Sequence, residues 1–143
     1  MIEVRPCILE DAADVSSLLG ELGYELSFEA TAEGIRRPKE TGSDPTFIAE
    51  ENGRPLGVIA LHRCHMIQYQ APVVRITALV VKQQARRRGV GRLLTDHAVH
   101  WARQSGCEFI ELTSALDRAE AHAFYRGLGF EANSLRFRKA LGS

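Results

Sequence analysis

With 143 residues, 45% of them apolar and 25% charged, the chain is long enough for one sizeable core and too short for two full domains, so residues 1–143 are expected to form a single domain. Eighteen basic residues balance eighteen acidic ones and the pI is about 7.0, which removes the net basic footprint that DNA or RNA binding usually needs. Cys7, Cys64 and Cys107 are odd in number and lack metal-like spacing; with no basic-then-apolar leader and no long apolar run, they fit reduced thiols in a cytoplasmic protein that does not engage a membrane.

Residues 2–6, Ile-Glu-Val-Arg-Pro, alternate apolar and polar and stop at proline, which predicts a first strand. Val15, Leu18, Leu19 and Leu22 then repeat at helical spacing, behind Asp11 as a capping or first-turn residue, with Gly20 and Gly23 near the stop. From 27 to 42 the pattern weakens: Phe28, Ala32 and Ile35 suit a core face, while Gly34 and Pro38 are expected to limit the helix. Residues 46–51 and 55–61 are apolar runs joined through Asn52-Gly53, a dipeptide suited to a tight hairpin, and they read as paired antiparallel strands. A segment rich in His and Gln, 62–70, leads through Pro72 to a nearly continuous apolar run at 73–81, expected to be a central strand buried on both faces.

That strand runs into Arg86-Arg87-Arg88-Gly89-Val90-Gly91-Arg92 and then into a helix with an apolar stripe at Val90, Leu93, Leu94, Ala98 and Trp101, ending near Ser105-Gly106. Gly89 and Gly91 carry no Cβ, so the backbone there can turn sharply and be approached closely. The first N–H groups of the helix lack intrahelical partners, and with three arginines before them and one after they form an anion site suited to a phosphate-bearing cofactor. For the arginine side chains, phosphate contact and solvated surface charge stand level. Residues 107–113 read as a strand, Ala121, Phe124, Tyr125 and Leu128 as one face of a helix closed by Gly129, and a final strand pair is expected within 130–141.

Two stretches in this order, Arg86-x-x-Gly89-x-Gly91 and Arg118-x-x-Ala121-x-x-x-Tyr125 with Gly129-Phe130 behind it, resemble the GNAT superfamily of acetyl-CoA-dependent N-acyltransferases. Its motifs are Arg/Gln-x-x-Gly-x-Gly/Ala and Asn-x-x-Ala-x-x-x-Tyr followed by Gly-Phe. The resemblance covers nearly the whole chain and implies an α+β GNAT fold, a mixed central sheet flanked by helices. In that fold the strands at 79–81 and 110–113 run parallel and splay, and coenzyme A enters the gap like a missing strand. Backbone groups of Leu79, Val80 and Val81 would then meet pantetheine and the acetyl group. Arg86, Arg87, Arg88, Gly89, Val90, Gly91 and Arg92 would meet the pyrophosphate, mostly through main-chain N–H groups.

By the same resemblance the stretch 27–42 shapes the acceptor pocket, and Tyr125 is the catalytic residue that protonates the departing thiolate, a role open to a phenol of pKa near 10. Its spacing alone favours a core tyrosine completing the stripe of Ala121, Phe124 and Leu128, and only the resemblance turns the reading to catalysis. Arg118 stands where the family often has Asn, so only its position places it at the cofactor.

The implied activity is N-acetyltransfer from acetyl-CoA, as cosubstrate and without a metal, to the primary amine of a small molecule or peptide by direct attack in a ternary complex. The base is left open: Thr113 stands where some relatives carry Glu, and Glu111, His62, His65, Glu50, Glu51 or a water chain could serve. His62-x-x-His65 around Cys64 and His97-x-x-His100 supply no complete zinc set and read as polar surface or pocket lining. A dinucleotide-binding oxidoreductase using Glu111 as its ribose-binding acid fails because Leu94 replaces the third small residue and too little chain follows. A non-catalytic acyl-CoA sensor or interaction domain, and a homodimer, stay open.

Overall fold

The computed structural model describes residues 1–142, with 38–41 described by backbone alone. In chain order the elements are β1 (Glu3–Pro6), α1 (Ala12–Glu21), α2 (Phe28–Thr41), β2 (Thr46–Glu51), β3 (Arg54–Cys64), β4 (Val73–Val81), α3 (Val90–Gln104), β5 (Ile110–Glu111) and α4 (Ala119–Gly127). The strands lie side by side in sequence order, antiparallel except for the parallel pair β4–β5. The result is a mixed sheet in an α+β architecture, as expected.

Local chemistry explains most of these elements. Asn52 (φ 52°) and Gly53 (φ 77°) both take the left-handed conformation between the facing residues Glu51 and Arg54, which is what a two-residue hairpin with the right twist requires. β3 continues beyond Leu61 through His62 to Cys64, where a separate polar segment was expected, because β4 supplies backbone partners out to the Cys64–Val73 pair whatever the side chains. α2 likewise runs through Gly34 and Pro38, which were expected to limit it. The hydrogen bond a proline at 38 forfeits is the one to the carbonyl four residues back, that of exposed Gly34, where water can take its place.

The sheet buries both faces unequally. On one side Phe47, Ala49, Ile59, Leu61, Val74 and Ile76 pack under α3, whose buried row is Val90, Leu94, Ala98 and Ala102. That row has strict i, i+4 spacing; Leu93, expected on the stripe, lies about 100° off it and is 40% exposed. On the other side Ile48, Val58 and Val80 pack against Ala12, Val15 and Leu18 of α1, Ile35 of α2 and Cys7. This second layer stops short of Arg75 and Thr77, so β4 is buried on both faces only in part, contrary to the expectation from its apolar run. The uncovered strip is the floor of a cleft.

Two polar or small residues hold the frame. Asp11, nearly fully buried, accepts two hydrogen bonds of 2.8 Å from the Arg5 guanidinium and one from the Ile8 N–H, and Arg5 also meets Glu50 at 3.0 Å. These bonds hold the Asp11 carboxyl below its ordinary range. Gly57 lies where α3 crosses β3: a Cβ there would stand 2.9 Å from the Val80 carbonyl oxygen and 3.1 Å from both Leu94 and Val90.

Two expectations at the C-terminal end are corrected. The strand read at 107–113 is reduced to Ile110–Glu111, because its neighbour β4 accompanies it only at Val74–Ile110 and Arg75–Glu111. The strand pair expected within 130–141 does not form; residues 130–142 hold no strand, since none of their backbone is paired with another segment beyond Phe130. Among the described residues no helix is long and apolar enough to cross a membrane.

Candidate active site

The functional geometry begins where β4 loses its neighbour. Hydrogen bonding to the β5 side runs from Glu108 N–H on the Pro72 carbonyl (2.8 Å) and Val74 N–H on the Phe109 carbonyl (3.0 Å) to the Arg75–Glu111 pair, and then stops. From Ile76 to Val81 that edge of β4 has no strand beside it, although its other edge stays bonded to β3. Leu79, Val80 and Val81 therefore combine apolar side chains packed into the two cores with backbone groups open on one edge. Leu61 faces Ile76 and Ala60 faces Ala78, leaving Thr77 as an extra residue in β4: a bulge, which re-aims the adjacent peptide groups. Thr77 Oγ1 donates to the Ala60 carbonyl at 3.2 Å and braces it.

Beyond Val81 the chain passes one 3-10 turn at Gln83–Ala85 and enters the arginine loop. Arg87 (φ 67°) and Gly89 (φ 80°) are both left-handed, so the loop curls on itself before α3 starts at Val90. A non-glycine residue in this region is uncommon and is held by its surroundings. Val90 is fully buried and anchors the helix start in the core. Arg86 and Arg87 are exposed; Arg88 donates to Glu51 at 2.7 Å, and Arg92 lies 3.9 Å from Asp96. The arginines thus divide into two extended toward solvent and two engaged with carboxylates, and the Arg88 guanidinium holds the Glu51 carboxyl below its usual range.

Gly91 has a different reason from the one its motif suggests. A Cβ there would lie 3.1 Å from the Phe124 ring and 3.7 Å from Val81, so its smallness brings α4 against the start of α3 and the end of β4. Tyr125, the next residue of α4, is half-buried, with its ring edge-on to Phe124 (5.3 Å) and Phe130 (5.7 Å). Both readings of Tyr125 therefore have a physical basis: its ring packs, and its helix is docked on the loop. Burial pushes its phenol pKa up, and nearby Arg118 opposes part of that rise, so the proton stays on oxygen at neutral pH. Arg118 is exposed at the N-cap of α4, and its carbonyl accepts from the His122 N–H.

On the opposite face, between α2 and the bulged strands, lies an open cleft of about 310 Å³ lined by Gly34, Asp44, Thr46, Ala60, His62 and Thr77. His62 Nδ1 is hydrogen-bonded to Asp44 Oδ1. A carboxylate only accepts, so Nδ1 is the donor, and in the neutral form of the ring Nε2 keeps its lone pair. Arg75 is the direct cross-strand neighbour of His62 and pairs with Glu111 at 3.1 Å, so Asp44, His62, Arg75 and Glu111 form a polar row across the sheet.

This row separates the candidate bases. Glu50, Glu51 and Glu111 are each held by an arginine, while His62 lines the cleft. His97 rests edge-on against Phe47 with ring centroids 4.4 Å apart, and burial pushes its pKa down; it belongs to the packing of α3. Gly57 and Asp44 carry no motif. A glycine interrupting an apolar strand is a recognisable sign of close backbone approach, whereas Asp44 meets His62 only through the fold.

Comparison with known proteins agrees with this geometry. Residues 15–130 match the acetyltransferase (GNAT) family. The chain is 32% identical over 140 residues to an aminoalkylphosphonate N-acetyltransferase of Salmonella typhimurium, covering 97% of this chain and 91% of that one. It is also 32% identical over 132 residues to the uncharacterized N-acetyltransferase YhdJ of Bacillus subtilis, covering 91% and 92%. Among solved structures, a transcriptional regulator from Bacillus halodurans superposes with a TM-score of 0.90 over 99% of this chain and 100% of that one, at 20% identity, which speaks to fold alone.

A mixed sheet in which β4 loses its parallel neighbour after Arg75, beside the helix start at Val90, is the frame of a chain whose residues 15–130 match a family of acetyltransferases. The chain belongs to the GNAT acetyltransferase family, whose members use acetyl-CoA as cosubstrate.

Proposed function

We propose that this enzyme transfers the acetyl group of acetyl-CoA to the primary amine of a small molecule bearing an anionic group, by direct attack in a ternary complex. The observation that carries the reading is the edge of β4 from Ile76 to Val81, open beside the start of α3 on one side and continuous through the Thr77 bulge with a polar cleft on the other. A pantetheine arm laid along that edge would find the amide partners a strand would have used, with Leu79, Val80 and Val81 on the arm and acetyl group. The curled loop, Arg86 through Arg92, would receive the pyrophosphate at the N–H groups of the helix start, and Arg118 flanks the same entrance from α4.

The acceptor enters from the cleft. Its neutral amine nitrogen attacks the thioester carbonyl, whose oxygen is polarised by β4 backbone N–H groups. The carbon–sulfur bond breaks, the thiolate takes the Tyr125 proton, and the proton lost by nitrogen passes to His62 Nε2, with Asp44 stabilising the resulting imidazolium. Arg75, adjacent to His62 on the same face, supplies positive charge for an anionic acceptor. A relative named for acetylating aminoalkylphosphonates is compatible with such an acceptor.

The deciding experiment measures coenzyme A release over a panel of aminoalkylphosphonates, amino acids, uncharged amines and peptides. Turnover is expected for small anionic amines, with His62→Gln lowering kcat/KM by about 10²-fold and Asp44→Asn by less. Acetyl-CoA binding without thiol release on any small amine, or turnover confined to peptides, would overturn the proposal.

A further inference from the structure

Among the described residues, three buried side-chain atoms have no hydrogen-bond partner: Thr31 Oγ1, Arg63 Nε and Ser114 Oγ. A polar atom buried without a partner costs stability, so each calls for a reason. Arg63 lies at the end of the sheet where β4 begins, and its guanidinium donates through another nitrogen to the Ser105 carbonyl at 3.2 Å. Thr31 is buried in α2, one turn before Ile35 of the core on the α1 side. Ser114 alone stands beside the unpaired edge of β4.

Register and alternation place it. β4 and β5 run parallel and last pair at Arg75–Glu111. Three residues further on, Ser114 reaches about the level of Ala78, at the head of the open edge that continues through Leu79, Val80 and Val81. Ile110 and Leu112 pack on the α3 side of the sheet, Glu111 meets Arg75 on the cleft side, and Thr113 is exposed, so Ser114 follows Leu112 toward the α3 side. The next residue, Ala115, is tied to α4: its carbonyl accepts from the Arg118 N–H at 3.2 Å and from His122 Nε2 at 2.8 Å. Tyr125 is three residues beyond His122 on the same helix. The Ser114 hydroxyl and the Tyr125 phenol thus come to this edge from two elements, β5 and α4.

We propose that Ser114 Oγ donates a hydrogen bond to the sulfur of coenzyme A, alongside Tyr125. With the pyrophosphate at Arg86 through Arg92 and the arm along Val81, Val80 and Leu79, the sulfur is the leading end and reaches the level of Ala78 and Ser114. A thioester sulfur accepts weakly and a thiolate strongly, so the bond tightens as the carbon–sulfur bond breaks and charge gathers on sulfur. A donor already buried and unpartnered needs no reorganisation at that moment. Tyr125 supplies the proton, while Ser114 keeps its own and holds the sulfur. The inference rests on the acyl-transfer reading, which assigns the sulfur to Tyr125 only.

Calorimetric titration with coenzyme A and with desulfo-coenzyme A, whose arm ends without the thiol, isolates the sulfur. At about pH 9 a thiol is largely ionised while the raised Tyr125 phenol keeps its proton. There the wild-type protein should bind coenzyme A more tightly than the desulfo form, and Ser114→Ala should cut that preference by about 10-fold with desulfo-coenzyme A binding unchanged. The same variant should lower kcat by about 10-fold with KM for acetyl-CoA nearly constant. Its Tm without ligand should not fall, because the oxygen it deletes has no partner in the free protein. A clearly lowered Tm of unliganded Ser114→Ala would give the hydroxyl a structural partner, and an undiminished preference for coenzyme A would leave the sulfur to Tyr125; either overturns the inference and leaves the acyl-transfer reading standing. Failure of the wild-type protein to bind either ligand would instead overturn that reading, and the inference with it.

Discussion

Tyr125 packs through its ring and, in the proposed reaction, gives up its proton. Its ring completes the contact of α4 with Phe124 and Phe130, while burial keeps its proton in place well above neutral pH. Tyr125→Phe preserves the ring and should leave acetyl-CoA affinity nearly intact while lowering kcat by about 10²-fold where chemistry limits the rate; unchanged turnover under those conditions would reduce Tyr125 to packing. The raised pKa also sets a sign for stability. The folded state holds the phenol proton more tightly than the unfolded one, so stability contributed by Tyr125 is intact below about pH 10 and falls as pH rises beyond it, a decline that Tyr125→Phe should lessen in alkaline melts.

Asp11 has the opposite sign. Its carboxyl is held below its ordinary pKa by Arg5 first and by the Ile8 N–H in addition, so its contribution is present above the unfolded carboxylate range and lost as pH falls through its folded value. Asp11→Asn should destabilise the protein at pH 7 by about 1–3 kcal/mol, since it leaves Arg5 partly unpaired. It should also flatten the loss of stability below pH 4, measurable as chemical-denaturation midpoints across the acid range.

At the scale of elements, two glycines set how closely helices approach the central strands, and they differ in what they meet. At Gly57 an added Cβ confronts the Val80 carbonyl, which is backbone and cannot yield without moving β4. At Gly91 it meets the edge of the Phe124 ring, which is half-buried and can give a few tenths of an ångström. Gly57→Ala should therefore destabilise by roughly 1–3 kcal/mol and weaken acetyl-CoA binding, while Gly91→Ala is mild in both. Gly91→Val, with two further carbons at the same contact, should displace α4 and weaken acetyl-CoA binding more than Arg86→Ala, whose side chain stands in solvent. Calorimetric titration of the four variants ranks them directly; greater loss in Arg86→Ala would show that side-chain charge, not the curled backbone, holds the cofactor.

For the whole molecule, a ligand that bridges the sheet edge and the helix start must stabilise the native state alone. Acetyl-CoA at about 100 times its Kd should add about 2.7 kcal/mol, a rise in Tm of roughly 5–10 °C for a chain of this size, while NAD and ATP should leave Tm unchanged. Stronger stabilisation by NAD would contradict the assignment of the splay to pantetheine.

What the sequence determined by itself was local: the hairpin at Asn52-Gly53, the start and stop of α3 with Val90, Leu94 and Ala98 on its buried side, and the turn at Gly89, whereas Leu93 off the row and the left-handed Arg87 were not legible. Each depends on backbone preference or on spacing within one element, and both are written in consecutive residues. Tertiary structure decided the rest. Neighbouring β4 let β3 absorb His62 and Cys64, and the end of its pairing with β4 cut β5 to Ile110–Glu111. Packing against Phe124, a contact between segments far apart in the chain, explains Gly91. The Asp44–His62 pair at the cleft, and the arginine partners of Glu50, Glu51 and Glu111, join residues far apart in the chain and exist only in the fold. The strand pair expected within 130–141 did not form, because a strand is stable only against a partner edge, and pairing is a property of the fold that no single stretch of sequence contains.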